Sequence, residues 1–280
     1  MTYSFPKDFS EPILALVLLG EKSAHDTEWP DYLELGITPE HTSELIRILD
    51  EIETFWPDVN VENAPESYAP IHAWRALGQL KAVQAIPSLV RLIVWNEDEN
   101  ADWIMEDIPE VLGMIGPASI PSLRDYLLKP DKFEWASVTI SHSLAEIGKR
   151  NPEHRTACVE TLHASLEHYA ENGETINAFL IDYLAELKAV EAAPLVERAY
   201  QADVVDLSVL GDFEDFQIEV GLLKERLTPP PRFYWAQDPK AAWENEKTMR
   251  REEGRRQRQQ EKKEKKKQKL AKKARKRHKK

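Results

Sequence analysis

Ala76–Leu92 reads ALGQLKAVQAIPSLVRL, Val111–Leu127 reads VLGMIGPASIPSLRDYL, and Leu184–Tyr200 reads LAELKAVEAAPLVERAY. The three segments share one grammar: an apolar helical end, a small-residue turn, then Ala-Ile-Pro or Ala-Ala-Pro opening a second apolar-periodic run. A looser copy, Leu144-Ala-Glu-Ile-Gly148, is followed by a longer periodic stretch through Leu166. Taking Leu77, Leu112, Leu144 and Leu184 as equivalent gives intervals of 35, 32 and 40 residues, the length of two short helices per unit.

Each copy is read as a first helix ending at Gly78, Gly113 or Gly148 and a second helix carrying Pro87, Pro121 or Pro194 in its first turn. Proline suits that position, because the N–H it lacks has no partner inside the helix and its fixed φ is already helical. Apolar residues then recur three and four apart, as in Ile86, Leu89, Val90 and Ile93, so each helix has one face to bury against the next unit.

Outward from the repeats, Ser10 is expected to cap a helix over residues 11–19, and Thr38-Pro39-Glu40 to open one running through Ile52. Val204–Leu210 is read as a loop leading to a last helix within 212–223. Pro229, Pro230 and Pro231 close the array. The fold expected is all-α, an α-solenoid over residues 1–228, with a proline- and aromatic-rich linker over 229–246 and a tail over 247–280 that is disordered or nascent-helical.

Charge divides the chain more sharply than its net value of −12 suggests. Residues 247–280 hold 19 Lys/Arg against 4 Glu, a balance of +15, which leaves 18 basic and 45 acidic residues, or −27, for positions 1–246. The basic side chains expected to meet a polyanion are Lys262, Lys263, Lys265, Lys266, Lys267, Lys269, Lys272, Lys273, Arg275, Lys276 and Arg277. Such a segment displaces counterions from phosphates without reading sequence, which points to RNA or ribonucleoprotein. Tyr234, Trp235 and Trp243, just upstream, have the faces needed to stack bases or to pack on the last helix. Contact with the chain's own acidic body, an anionic membrane surface, and a nuclear-type signal at Lys272–Arg277 stay open beside that reading.

A second cluster is acidic: Glu97, Asp98, Glu99, Asp102 and Glu106, with Trp103 among them. It is read either as helix capping and solubility or as a docking ridge for a protein partner with Trp103 as anchor. Trp74, Trp95 and Trp135 are assigned to the core.

Catalytic and cofactor motifs are not found: the chain has no G-x-S-x-G, P-loop or dinucleotide glycine pattern. His154, Cys158, His163 and His168 lie on one helical stretch, but their angular and axial spacing does not converge on a metal. The longest apolar run, Ile13–Leu19, is far short of the roughly 20 residues that cross a bilayer. The expectations are therefore no signal peptide, no membrane span, no metal or cofactor, no enzymatic activity, a cytoplasmic location and a monomer.

The Leu-Gly-x-Ile-Gly and Ala-Ile-Pro-x-Leu punctuation of residues 76–128 resembles the HEAT-like repeats first named for phycobilisome lyases. The order Trp103-Ile-Met-Glu-Asp107, Leu180–Tyr200 and Ala202–Asp215 also looks like an uncharacterised bacterial helical-repeat family whose members often end in a zinc-binding SEC-C motif. This chain has no cysteine after Cys158 and cannot form that zinc site; a basic tail stands in its place. The resemblance implies a repeat scaffold with a C-terminal docking element, with a chromophore lyase as a remoter alternative.

Overall fold

The computed structural model describes residues 8–20, 28–52, 65–99 and 101–230. Two compact units are distinguished, Met1–Lys224 and Glu225–Lys280. In the second, the described residues are 225–230, where the Arg226 guanidinium donates to the carbonyls of Thr228 and Pro229.

In the first unit the described residues are all-helical, with no strand. The α-helices are α1 (Glu11–Val17), α2 (Thr42–Asp50), α3 (Ala69–Gln79), α4 (Ile86–Glu99), α5 (Asp102–Ile115) and α6 (Ile120–Leu127). They are followed by α7 (Glu134–Arg150), α8 (Arg155–Leu166), α9 (Glu174–Glu186), α10 (Ala193–Gln201) and α11 (Phe213–Glu219). The loop reading of 204–210 holds, and Asp212 caps α11 by accepting from the backbone N–H groups of Glu214 and Asp215.

Helices α3, α5, α7 and α9 each pack against the next in that series, and α4, α6, α8 and α10 do the same in theirs. Every second helix is introduced by a short 3-10 turn: Val83–Ala85, Pro117–Ser119, Pro152–His154 and Val190–Ala192. Pro87, Pro121 and Pro194 take the second position of α4, α6 and α10, as expected. Pro109, by contrast, lies deep inside α5 and is buried there. The loss of one ladder bond is borne because that face of α5 is packed along its length.

The structure corrects three local readings. Gly78, Gly113 and Gly148 do not end their helices; they lie buried in the last turns of α3, α5 and α7. A Cβ on Gly78 would lie 3.3 Å from Val111 Cα, one on Gly113 3.0 Å from Glu146 Cβ, and one on Gly148 2.8 Å from Leu187 Cδ2. They are glycines because the following unit approaches too closely for a side chain. The equivalence in the third unit therefore falls on Ile147-Gly148 rather than Leu144, and the three glycines are evenly spaced by 35 residues.

Chain reversal after α3 and α9 is instead made by Lys81 (φ 51°) and Lys188 (φ 54°), both in left-handed conformation. The next residues close Schellman-type bonds, Ala82 N–H to Leu77 O at 3.0 Å and Ala189 N–H to Leu184 O at 2.9 Å. Lastly, the Ser10 hydroxyl has no hydrogen-bond partner and does not cap α1. Its backbone N–H donates to Glu44 Oε2 at 2.7 Å, tying α1 to α2.

Helix α7 is the central element, packed by α4, α5, α6, α8 and α9. It reaches that position with small hydroxylated residues: Ser137, Thr139, Ser141 and Ser143 are all buried. The hydroxyls of Thr139, Ser141 and Ser143 donate to carbonyls one turn back at 2.7–2.9 Å, so polar side chains are buried without loose donors.

Candidate partner-docking edge

The acidic cluster divides once it is folded. Glu97, in the last turn of α4, accepts from the backbone N–H groups of Ala136 (2.9 Å) and Trp135 (3.4 Å) at the start of α7. A side chain from one unit thus caps the next unit's first helix, supplying both an acceptor and a negative charge where the helix dipole is positive. Asp98 and Glu99 are exposed at the same end of α4, and Asp102 and Glu106 are exposed on the first two turns of α5. Glu97, Asp98, Glu99 and Asp102 therefore gather around one connection between units, with Trp103 half-buried against the core beside them.

Trp103 belongs to a buried construction that sequence reasoning missed. Asp107, one turn further along α5, accepts from Arg75 Nε at 2.6 Å and Nη2 at 3.1 Å, and from Trp74 Nε1 at 2.8 Å. The Arg75 and Asp107 side chains are only 3% and 8% exposed. The Arg75 guanidinium lies 4.8 Å from the Trp29 ring centroid and 5.6 Å from that of Trp103. A forked cation between two indoles, held by a carboxylate, satisfies its charge and its faces at once.

Helix α3, which carries Arg75, also buries His72, which accepts the Tyr32 hydroxyl on Nδ1 (2.7 Å) and donates from Nε2 to Gly20 O (3.1 Å). Burial holds the imidazole neutral, lowering its pKa to about 4. Trp29 with Tyr32, His72 with Arg75, and Asp107 come from three separate segments, and no periodicity links one segment to another. Only the unusual pairing of a basic and an aromatic residue at Trp74-Arg75 inside an apolar run could have signalled the site.

Of the tryptophans assigned to the core, Trp74 is fully buried, Trp95 is half-buried, and Trp135 is 39% exposed. Trp135 is corrected accordingly. It lies in the first turn of α7, whose inner face is already filled by Ala136, Val138 and Ile140. Phe133, the N-cap residue of α7, is 51% exposed, and its N–H donates to the Tyr126 hydroxyl at 3.2 Å. Beside it lies a groove of about 540 Å³ lined by Leu128, Lys132, Glu134, Glu171, Asn172 and Ile176 among others.

Ion pairs stitch successive first helices, Arg150 to Glu110 and Lys149 to Glu186, both at 2.9 Å, and Lys188 in the turn after α9 pairs with Glu219 of α11. His142 stacks on Tyr183 with centroids 5.1 Å apart. Asp182 sits in the same region, where burial, then Glu186 and Glu219, raise its pKa to about 6. Cys158 is buried, which pushes its thiol up to about 11, while His163 and His168 lie 3.8 and 4.0 Å from Glu167 and Glu171. Among the described residues no group of three His, Cys, Asp or Glu side chains is placed to hold a metal ion. No described helix is long and apolar enough to cross a membrane. The basic tail, Lys262 to Arg277 included, and the linker aromatics Tyr234, Trp235 and Trp243 lie outside the described residues.

Comparison with protein-family models, with characterised proteins and with solved structures returns no match to this chain.

Proposed function

We propose that the helix pairs form an α-solenoid of HEAT-like units serving as a non-enzymatic, cytoplasmic adaptor. The repeat surface holds a protein partner, and the basic segment from Lys262 to Lys280 engages RNA or ribonucleoprotein. The observation that carries this reading is the double series of contacts, first helix to first helix and second helix to second helix. Stacking of that kind exposes equivalent positions of every unit along continuous faces, the surface type repeat proteins use to bind. The segregation of −27 and +15 between positions 1–246 and 247–280 supports two binding functions of opposite preference.

The test is binding of the full-length chain and of a 1–246 truncation to mixed cellular RNA over a salt series. The full-length chain should bind and the truncation should not. The logarithm of affinity should fall with the logarithm of salt by about 0.7 for every single-strand phosphate neutralised. Absence of RNA binding at low salt refutes the tail's assignment, and equal binding by the truncation moves the site to the repeats.

A further inference from the structure

Resting on that adaptor reading, we infer that the edge formed by Phe133, Trp135 and the carboxylates around them is the docking surface for an arginine-bearing cationic segment of the partner protein. Phe133 and Trp135 are exposed aromatic side chains, at 51% and 39%, and both stand at the start of α7. The Glu97 bonds to the N–H groups of Trp135 and Ala136 fix the end of α4 against the start of α7, and exposed Asp98 and Glu99 are the next two residues along α4. Asp131 stands two residues before Phe133, close enough to Tyr126 that its charge and that of Glu97 add to burial in raising the Tyr126 pKa. Aromatic faces among carboxylates select a cation with a flat, weakly hydrated head, and guanidinium fits that description better than ammonium.

The molecule uses the same chemistry internally. Arg75 rests between Trp29 and Trp103 on the Asp107 carboxylate, and Lys129 Nζ lies 5.3 Å over the Tyr126 ring. Of the two lysines in the α6–α7 loop, Lys129 lies over Tyr126, and Lys132 lines the neighbouring groove with Glu134 and Glu171, so the carboxylates Glu97, Asp98, Glu99, Asp131 and Glu134 outnumber them. Charge complementarity therefore favours an incoming cation over Phe133 and Trp135.

The test uses the full-length chain with fluorescent nona-arginine and nona-lysine as probes, at low and at moderate salt. Nona-arginine should bind about two- to fivefold tighter than nona-lysine, and the preference should survive the rise in salt that weakens both. Trp135→Ala should abolish the preference, Trp135→Phe should keep it, and Asp98→Asn with Glu99→Gln should weaken both peptides. Helicity by circular dichroism checks that each variant folds. Equal affinities for the two peptides, or an unchanged preference in Trp135→Ala, would overturn the proposal, because any acidic body binds cations without regard to shape. Self-association of the full-length chain that Trp135→Ala dissolves would also overturn it, assigning the surface to a second copy. RNA binding measured on the same variants should be unaffected, so failure of the tail's assignment and failure of this one read out separately.

Discussion

Arg75 on α3 and Asp107 on α5 meet as a buried, two-pronged ion pair, with Nε and Oδ2 2.6 Å apart and the Trp74 indole donating to the same oxygen. The pair joins consecutive first helices and, through Trp29, fastens the segment that precedes them. Replacing Asp107 with Ala removes the acceptor from two buried donors and is expected to cost about 3–5 kcal/mol. The double variant Arg75→Met with Asp107→Leu should lose much less, since neither charge is then left behind. Urea midpoints of the three proteins measure both; a double variant as unstable as Asp107→Ala refutes the account.

Gly78 and Gly113 face rigid atoms of the following unit, Val111 Cα and Glu146 Cβ. Alanine at either position should therefore destabilise by about 1–3 kcal/mol of overpacking, partly offset by the roughly 1 kcal/mol of helix propensity gained. A rise in melting temperature for both variants would show that the helices separate freely.

Lys81 and Lys188 hold a left-handed conformation that glycine adopts without strain. Lys81→Gly should stabilise the chain by about 0.5–1 kcal/mol. Lys188→Gly should gain less, because the Lys188 ammonium also pairs with Glu219 and donates to its carbonyl at 2.9 Å. Thermal denaturation of the two variants side by side decides it; equal shifts would mean that the Glu219 contact contributes nothing.

Two groups, buried His72 and half-buried Asp182, set opposite pH trends. His72 is held neutral, so its contribution is complete above its ordinary pKa of 6.5 and is lost as pH falls through about 4. Burial resists ionisation of Asp182, so its contribution is complete below its ordinary 3.8 and is lost as pH rises through about 6. Asp182→Asn should accordingly raise the denaturant midpoint at pH 7 and leave it near wild type at pH 4. His72→Gln should flatten the fall in stability between pH 6.5 and 4. Midpoints taken across that range test both, and parallel pH profiles for all three proteins would remove the assignment.

Much of the repeat was legible because proline and periodicity act locally. Pro87, Pro121 and Pro194 mark helix starts through their own ring geometry, and the spacing of Ile86, Leu89 and Ile93 states which face is inward. What misled were residues whose meaning lies in a neighbour. Gly78 reads as a stop from its own chain and as a contact only beside Val111. Asp107 reads as one more carboxylate of an acidic stretch until Arg75 arrives from 32 residues earlier. Glu97 reads as surface until the N-terminus of α7 is set against it, 39 residues on. Trp135 has the composition of a core residue, and its exposure depends on which side of α7 the other helices fill.

The glycines also have an order. Gly78 receives α5, Gly113 receives α7, and Gly148 receives the Leu187 end of α9, whereas in the last copy the corresponding place belongs to Ala185, buried and bearing a methyl group. Each notch opens toward the unit synthesised after it, and the series stops where the repeats stop. The closing helix α11 thus meets α9 without the notch that α3, α5 and α7 each offer to the helix that follows them.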